Sequence, residues 1–145
     1  MNLPQAKNLL IAWNDDYALG IPIIDEQHRG IVSVINTLFF FMRHNHGAEA
    51  MRPVILMIEQ HLKLHSLTEE SLLERAKYPG LHEHIMIHDD FDTKLSSVSR
   101  RSNRTGNPEE LLQYLKSWWL SHVCVDDRLF KDHLIDYLNR QGDEQ

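Results

Sequence analysis

The stretch "IDEQHRGIVSVINTLFFFM", residues 24–42, decides the fold. Within it Ile24, His28, Ile31, Ile35, Leu38 and Met42 recur at intervals of three and four residues. That rhythm puts them on one face of an α-helix and predicts a stripe turned toward a core. The stripe contains a histidine. An imidazole buried without a partner costs free energy, so His28 points to a polar feature inside the protein. The run is not a membrane span: its most apolar part, residues 31–42, includes Ser33, Asn36 and Thr37 and falls well short of the roughly 20 residues a span requires.

Three further helical segments follow. The four are expected at about residues 23–44, 49–77, 81–98 and 108–139, after an irregular N-terminal arm at about 1–22 that holds Trp13, Tyr17 and Gly20. "HNHG" at 44–47 and "YPG" at 78–80 are breaks. Pro53 fits only a first turn, which moves the start of the second helix toward Met51 or Arg52. "SRRSNRTGNP" at 99–108 reads as a loop. Asn107 is the expected N-cap of the fourth helix, with Pro108 at its first position and Glu109 and Glu110 in its first turn, where the helix dipole favours carboxylates. Short connections make successive helices antiparallel neighbours. The expected fold is all-α, an antiparallel up-down-up-down four-helix bundle forming one domain over residues 1–145.

With 42% hydrophobic and 25% charged residues, the composition is that of an ordinary globular protein. The net charge of −6 argues against a nucleic-acid partner, which would want a basic face, and no segment reads as a membrane span. Cys124 has no second cysteine to pair with, which fits a reducing compartment and a cytoplasmic location. The opening "MNLPQAKNLLIAW" lacks the basic start and long apolar run of a secretory signal. The unusual feature is the count of 10 histidines.

Every helical segment carries histidine on or near its apolar face: His28 in the first, His65 in the second, His84 and His88 in the third, His122 in the fourth. Glu69 follows His65 by four residues, and Asp126 and Asp127 follow His122. Helix residues four apart share a face, with Cβ atoms about 5–6 Å apart, so such pairs can grip one metal ion or two adjacent ones. Bundle interiors build sites of this kind. Five imidazoles with two or three carboxylates exceed the needs of one tetrahedral zinc and suit two octahedral ions that share bridging carboxylates. Spacing leaves the second carboxylate open. Asp126, four residues after His122, is the better aligned; Asp127 lies about 140° round a regular helix, and only a local widening would turn it inward.

The stretches "GIPIIDEQHRGI" at 20–31, "HSLTEESLL" at 65–73, "YPGLHEHIMIHDDF" at 78–91 and "WWLSHVCVDDRLF" at 118–130 resemble the hemerythrins, and among them the bacterial branch (bacteriohemerythrin). The resemblance implies two iron ions with an oxo or hydroxo bridge. One would be held by His84, His88 and His122, the other by His28 and His65, with Glu69 and Asp127 bridging; the family pattern selects Asp127 over Asp126. It implies reversible dioxygen binding at an open position on the two-histidine iron, for oxygen storage, delivery or sensing, and not an enzyme. Where the family usually has an aliphatic residue lining the dioxygen pocket, three positions before the last histidine, this chain has Trp119; the family's usual tryptophan is its neighbour Trp118. Trp13 and Tyr17 match aromatic positions of the family, and Trp13 is a second candidate for the pocket lining. Asp25 is placed to orient a ligand or to cap the first helix. His61 is a boundary residue or a support for His65, and His44, His46, His82 and His133 read as solvent-facing.

Two other functions fit the same residues. One is the input module of a signalling system, in which dioxygen or redox state acts on a protein partner; an oxygen-consuming protein is the corresponding partner of a carrier. The other is a di-iron oxidase or peroxidase. Those bundles typically carry more carboxylates and a Glu-x-x-His spacing, whereas here the spacing is His-x-x-x-Glu.

Overall fold

Pro22 opens the first helix, where its missing N–H would have had no intrahelical partner and its fixed φ suits the turn. The computed structural model describes residues 9–143, and residues 1–8 of the expected arm lie outside the described residues. Helix α1 spans Pro22–His44, α2 Ala48–Arg75, α3 Leu81–Thr105 and α4 Glu109–Trp118. A π-helical turn at Trp119–Val123 and a 3-10 turn at Asp126–Leu129 then lead into α5, Lys131–Asp143. No strand occurs among the described residues. Helix α1 packs on α2, α2 on α3, α3 on α4 and α4 back on α1, which closes the antiparallel bundle. Among the described residues no helix is long and apolar enough to cross a membrane.

Several ends differ from the sequence reading, each for a local reason. Helix α2 begins at Ala48, so Pro53 sits inside it rather than in its first turn. Pro53 is exposed, and the carbonyl it leaves unpaired, on Glu49, belongs to an exposed residue that water can reach. The same helix stops at Arg75, where Lys77 takes φ 54° and the N–H groups of Lys77 and Tyr78 bond back to the carbonyls of Glu74 and Leu73. Helix α3 runs to Thr105, past the expected end at 98. Its polar composition reads as a loop, yet Ser99 and Ser102 face inward at helical spacing. Gly106 stops it, at φ 74°, its N–H bonded to the Ser102 carbonyl at 2.8 Å. The cap position of the next helix is held by Pro108 rather than by Asn107 as expected, because the Pro108 carbonyl accepts the first helical bond, from the Leu112 N–H; Asn107, one residue earlier, still accepts the Glu109 N–H through Oδ1 at 3.0 Å. The single fourth helix expected at 108–139 is instead α4, the π turn, the 3-10 turn and α5.

Two apolar layers fill the interior. One contains Ile31, Ile35, Leu38, Met51, Ile55, Ile58, Leu62, Phe91, Leu95, Leu111 and Leu115. The other contains Leu19, Ile21, Ile24, Leu73, Phe130 and Leu134. Burial of each Leu, Ile or Phe contributes about 1.5–3 kcal/mol. On α1, His28 lies between Ile24 of one layer and Ile31 of the other; on α2, His65 and Glu69 lie between Leu62 and Leu73. A polar storey is thus enclosed between two greasy ones. The arm is tied across it. Asn36 exchanges two hydrogen bonds with the Ile11 backbone, at 2.9 and 2.8 Å, and the buried Asp25 carboxylate accepts the N–H groups of Leu19 and Gly20 at 2.8 and 3.0 Å.

At Gly106 an added Cβ would stand 3.3 Å from the Ala48 Cβ, on a backbone with φ 74°. Gly106→Ala is expected to destabilise the protein by about 1 kcal/mol or more, measured as a lower denaturant midpoint with an unchanged m-value.

Candidate metal centre

Helices α1, α2 and α3 and the two turns that follow α4 deliver donors to the enclosed storey. The four-residue spacing aligns His65 with Glu69 on α2 and His84 with His88 on α3. The last pair needs more than spacing. The Cys124 N–H bonds the Trp119 carbonyl at 3.1 Å, five residues back, which widens the helix around His122. The 3-10 turn that follows rotates Asp127 fully inside, 0% exposed, and leaves the Asp126 side chain 30% exposed.

The five histidines, Glu69 and Asp127 are all buried. Glu69 Oε1 lies 2.8 Å from His65 Nε2 and 3.9 Å from His28 Nε2. Its other oxygen, Oε2, lies 2.9 Å from His84 Nε2, 3.2 Å from His88 Nε2 and 4.0 Å from His122 Nε2. Asp127 divides itself in the same way. Its Oδ2 is 3.3 Å from His28 Nε2 and 3.8 Å from His65 Nε2, and its Oδ1 is 3.1 Å from His122 Nε2 and 3.5 Å from His84 Nε2. Two groups of imidazoles, one of two and one of three, therefore share two carboxylates, with one oxygen of each turned to each group. Donor atoms of His28, His65, Glu69 and Asp127 lie within 4.8 Å of one another, and so do those of Glu69, His84, His88 and His122.

His84 Nε2 is hydrogen-bonded to Glu69 Oε2 at 2.9 Å, but most of the other donor atoms converge without pairing. Both ring nitrogens of His28, the Nε2 of His65, Oε1 of Glu69 and both oxygens of Asp127 are buried with no hydrogen-bond partner among the described residues. The His65–Glu69 contact is short but not in donor–acceptor alignment. The His88 and His122 rings bring their Nε2 atoms to 3.1 Å of each other. Lone pairs aimed at shared points are costly in an apolar interior and become favourable when cations occupy those points. The electrostatics agree. Burial opposes a charge on His65, yet the Glu69 carboxylate and Asp127 outweigh it and push its pKa up to about 10. Burial would raise Glu69, but the surrounding imidazoles, His65 first, hold it well below the usual carboxylate range. His84 is raised by Glu69 and Asp127 against burial, and burial lowers His122. The carboxylates demand positive charge at the centre. Seven donors of this chemistry suit two metal ions.

Two of the outer nitrogens, those of His65 and His122, have hydrogen-bond partners, and the first of these, Gln27, is one the sequence reading does not single out. His65 Nδ1 faces Gln27 Oε1 at 3.3 Å. Gln27 is held in that orientation because its NH2 donates to Thr68 Oγ1, whose hydroxyl donates to the Leu64 carbonyl. His122 Nδ1 faces Asp126 Oδ2 at 3.4 Å, and His88 Nδ1 stands 3.7 Å from Glu70 Oε1. Asp126 thus supports the centre from outside it. The signal for Gln27 is its place next to His28, on the flank facing α2. Asp25 does not reach a histidine; it binds the arm backbone. His133 is half-buried rather than solvent-facing, bonded to the Ala76 carbonyl at 2.6 Å. His61 bonds the Met57 carbonyl of its own helix.

Aromatic rings close the two-histidine end. Trp119 is buried, edge-on to His28 at 5.6 Å between ring centroids. Tyr17 and Trp13 pack on it at 5.4 and 6.2 Å. Trp118 stacks between Phe91 and His122, at 4.7 and 5.5 Å.

Fold and site define an antiparallel helical bundle with two adjoining clusters of histidine and carboxylate in its interior, each able to hold a metal ion. The Hemerythrin HHE cation binding domain matches residues 19–134, and the chain belongs to the hemerythrin family. It is 30% identical to the bacteriohemerythrin of Stenotrophomonas maltophilia, over 90% of this chain and 86% of that one. It is 32% identical to that of Pseudomonas paraeruginosa, over 84% and 80%, and 27% identical to hemerythrin subunit alpha of Lingula reevii, over 85% and 94%. A crystal structure of a mutant hemerythrin shares the fold, with a TM-score of 0.77 at 17% identity, over 86% of this chain and 97% of that one.

Adding ferrous or zinc ions to metal-free protein is expected to raise its thermal midpoint, by the equivalent of about 4 kcal/mol at a metal concentration 1,000 times Kd. Glu69→Gln, which keeps the shape and removes the shared charge, is expected to lower metal content below that of the unaltered protein when both are measured by elemental analysis.

Proposed function

We propose that the chain binds dioxygen reversibly at a non-haem di-iron centre, as a carrier, store or sensor rather than an enzyme. His84, His88 and His122 would hold one iron and His28 and His65 the other, with Glu69 and Asp127 shared between them. The observation that carries this reading is the inequality of the two groups: both draw on the same two carboxylates, but one has an imidazole fewer. With one imidazole fewer, the two-histidine side would leave an ion of octahedral preference room for a small external ligand. When bound, the iron pair supplies the electrons that a dioxygen ligand takes up and returns. The chain does the rest. Glu69 and Asp127 hold the two cations side by side. The five imidazoles, bound as neutral donors, leave the site less negative than a carboxylate-rich one. The apolar layers exclude water, which slows the loss of reduced oxygen species. The cytoplasmic location and the single-domain reading accompany this proposal, and a signalling or oxygen-consuming protein is the partner it calls for.

Trp119 fills space against His28 that an aliphatic side chain would leave open. We assign it, with Trp13 behind it, to the wall of the dioxygen pocket.

Iron-loaded protein is expected to gain visible absorption in air and lose it on deoxygenation, through repeated cycles. Absorption that ignores air, or bleaches once with turnover of a substrate, contradicts the carrier reading. Trp119→Leu is expected to speed dioxygen association and autoxidation in stopped-flow and absorbance measurements, at a stability cost of about 1–3 kcal/mol.

A further inference from the structure

His122 is clamped between consecutive aspartates. Its inward Nε2 lies 3.1 Å from Asp127 Oδ1 and its outward Nδ1 lies 3.4 Å from Asp126 Oδ2. A neutral imidazole has one nitrogen that donates and one that accepts. A carboxylate at Nδ1 holds the proton there and leaves the Nε2 lone pair directed into the centre. The two-histidine group is backed differently: His65 Nδ1 meets the neutral Gln27 amide at 3.3 Å, and His28 Nδ1 is buried without a partner among the described residues. Hydrogen bonds to an ionised acceptor are roughly twice as strong as neutral ones. Asp126 also borders a surface cavity beside Glu83 and His84, so its carboxylate stays solvated on its far side.

We propose that Asp126 is a positioning residue: its carboxylate fixes the tautomer of His122, strengthens that ring as a donor, and makes the three-histidine group the tighter of two unequal metal subsites. The proposal rests on the reading of the centre as a two-metal site. It also gives the local widening of the helix a second consequence. The same distortion that turns Asp127 inward leaves Asp126 facing the outer nitrogen of the ring that Asp127 faces from inside.

The test is stepwise titration of the metal-free full chain with Co(II) against a competing chelator, read by ligand-field absorption, with the thermal midpoint of each metal-free variant as a control on folding. Wild type is expected to bind two equivalents of unequal affinity. Asp126→Ala is expected to weaken the tighter one about 10–100-fold and leave the other unchanged. Asp126→Asn, which keeps an acceptor and drops the charge, recovers part of the loss. Gln27→Ala weakens the other equivalent instead. Asp126→Ala binding like wild type, losing both equivalents alike, or matched by Asp126→Asn overturns the proposal. Should Asp126→Ala not fold, wild-type affinity in Asp126→Asn overturns it. A wild-type chain that takes up no cobalt removes the two-metal reading and this proposal with it; two equivalents indifferent to position 126 remove this proposal alone.

Discussion

Two carboxylates buried in an apolar interior, each offering one oxygen to either of two imidazole groups, set the terms for the rest of the structure. Ionised groups taken out of water are tolerated only where positive charge meets them. Glu69 and Asp127 have no basic Lys or Arg partner among the described ion pairs. Their counter-charge must come from protonated imidazoles or from cations at the points where the lone pairs converge. The first answer is visible in the upward shift of His65; the second is what the family's chemistry supplies. Either way the four helices are locked in register, because each must bring its donor to the same level.

The apolar layers and the centre depend on each other. Ile24 and Ile31 enclose His28 along α1, and Leu62 and Leu73 enclose His65 and Glu69 along α2. The layers keep water from the donors, and the donors prevent the helices from sliding, which an all-aliphatic interior would permit. The arm completes the enclosure. Its bonds to Asn36 and Asp25 hold Trp13 and Tyr17 over Trp119, so the two-histidine side is covered by three aromatic rings rather than by one helix.

Much of this was legible in the residues. The stripe from Ile24 to Met42 announces a core-facing helix, and the pairs His65–Glu69 and His84–His88 share a face by spacing alone. These features depend on the helical repeat, which is local. The ends of helices were less legible where polar composition and burial disagree. Ser99 and Ser102 look like loop residues and pack as helix, and Pro53 looks like a start and lies inside because water reaches the carbonyl it frees.

The sequence by itself determined that amphipathic helical segments would form and that histidines and carboxylates would recur on their inner faces. Only the tertiary structure decided which oxygen serves which histidines, that Asp127 enters while Asp126 stays behind His122, and that Trp119 lies against His28. The reason is physical. Periodicity reports which side of a helix is buried, but not where a helix departs from its regular repeat or how neighbouring helices are rotated about their axes. The departure at Trp119–Val123 gives up regular hydrogen bonds, and it persists because donors from three other helices meet the carboxylate it delivers.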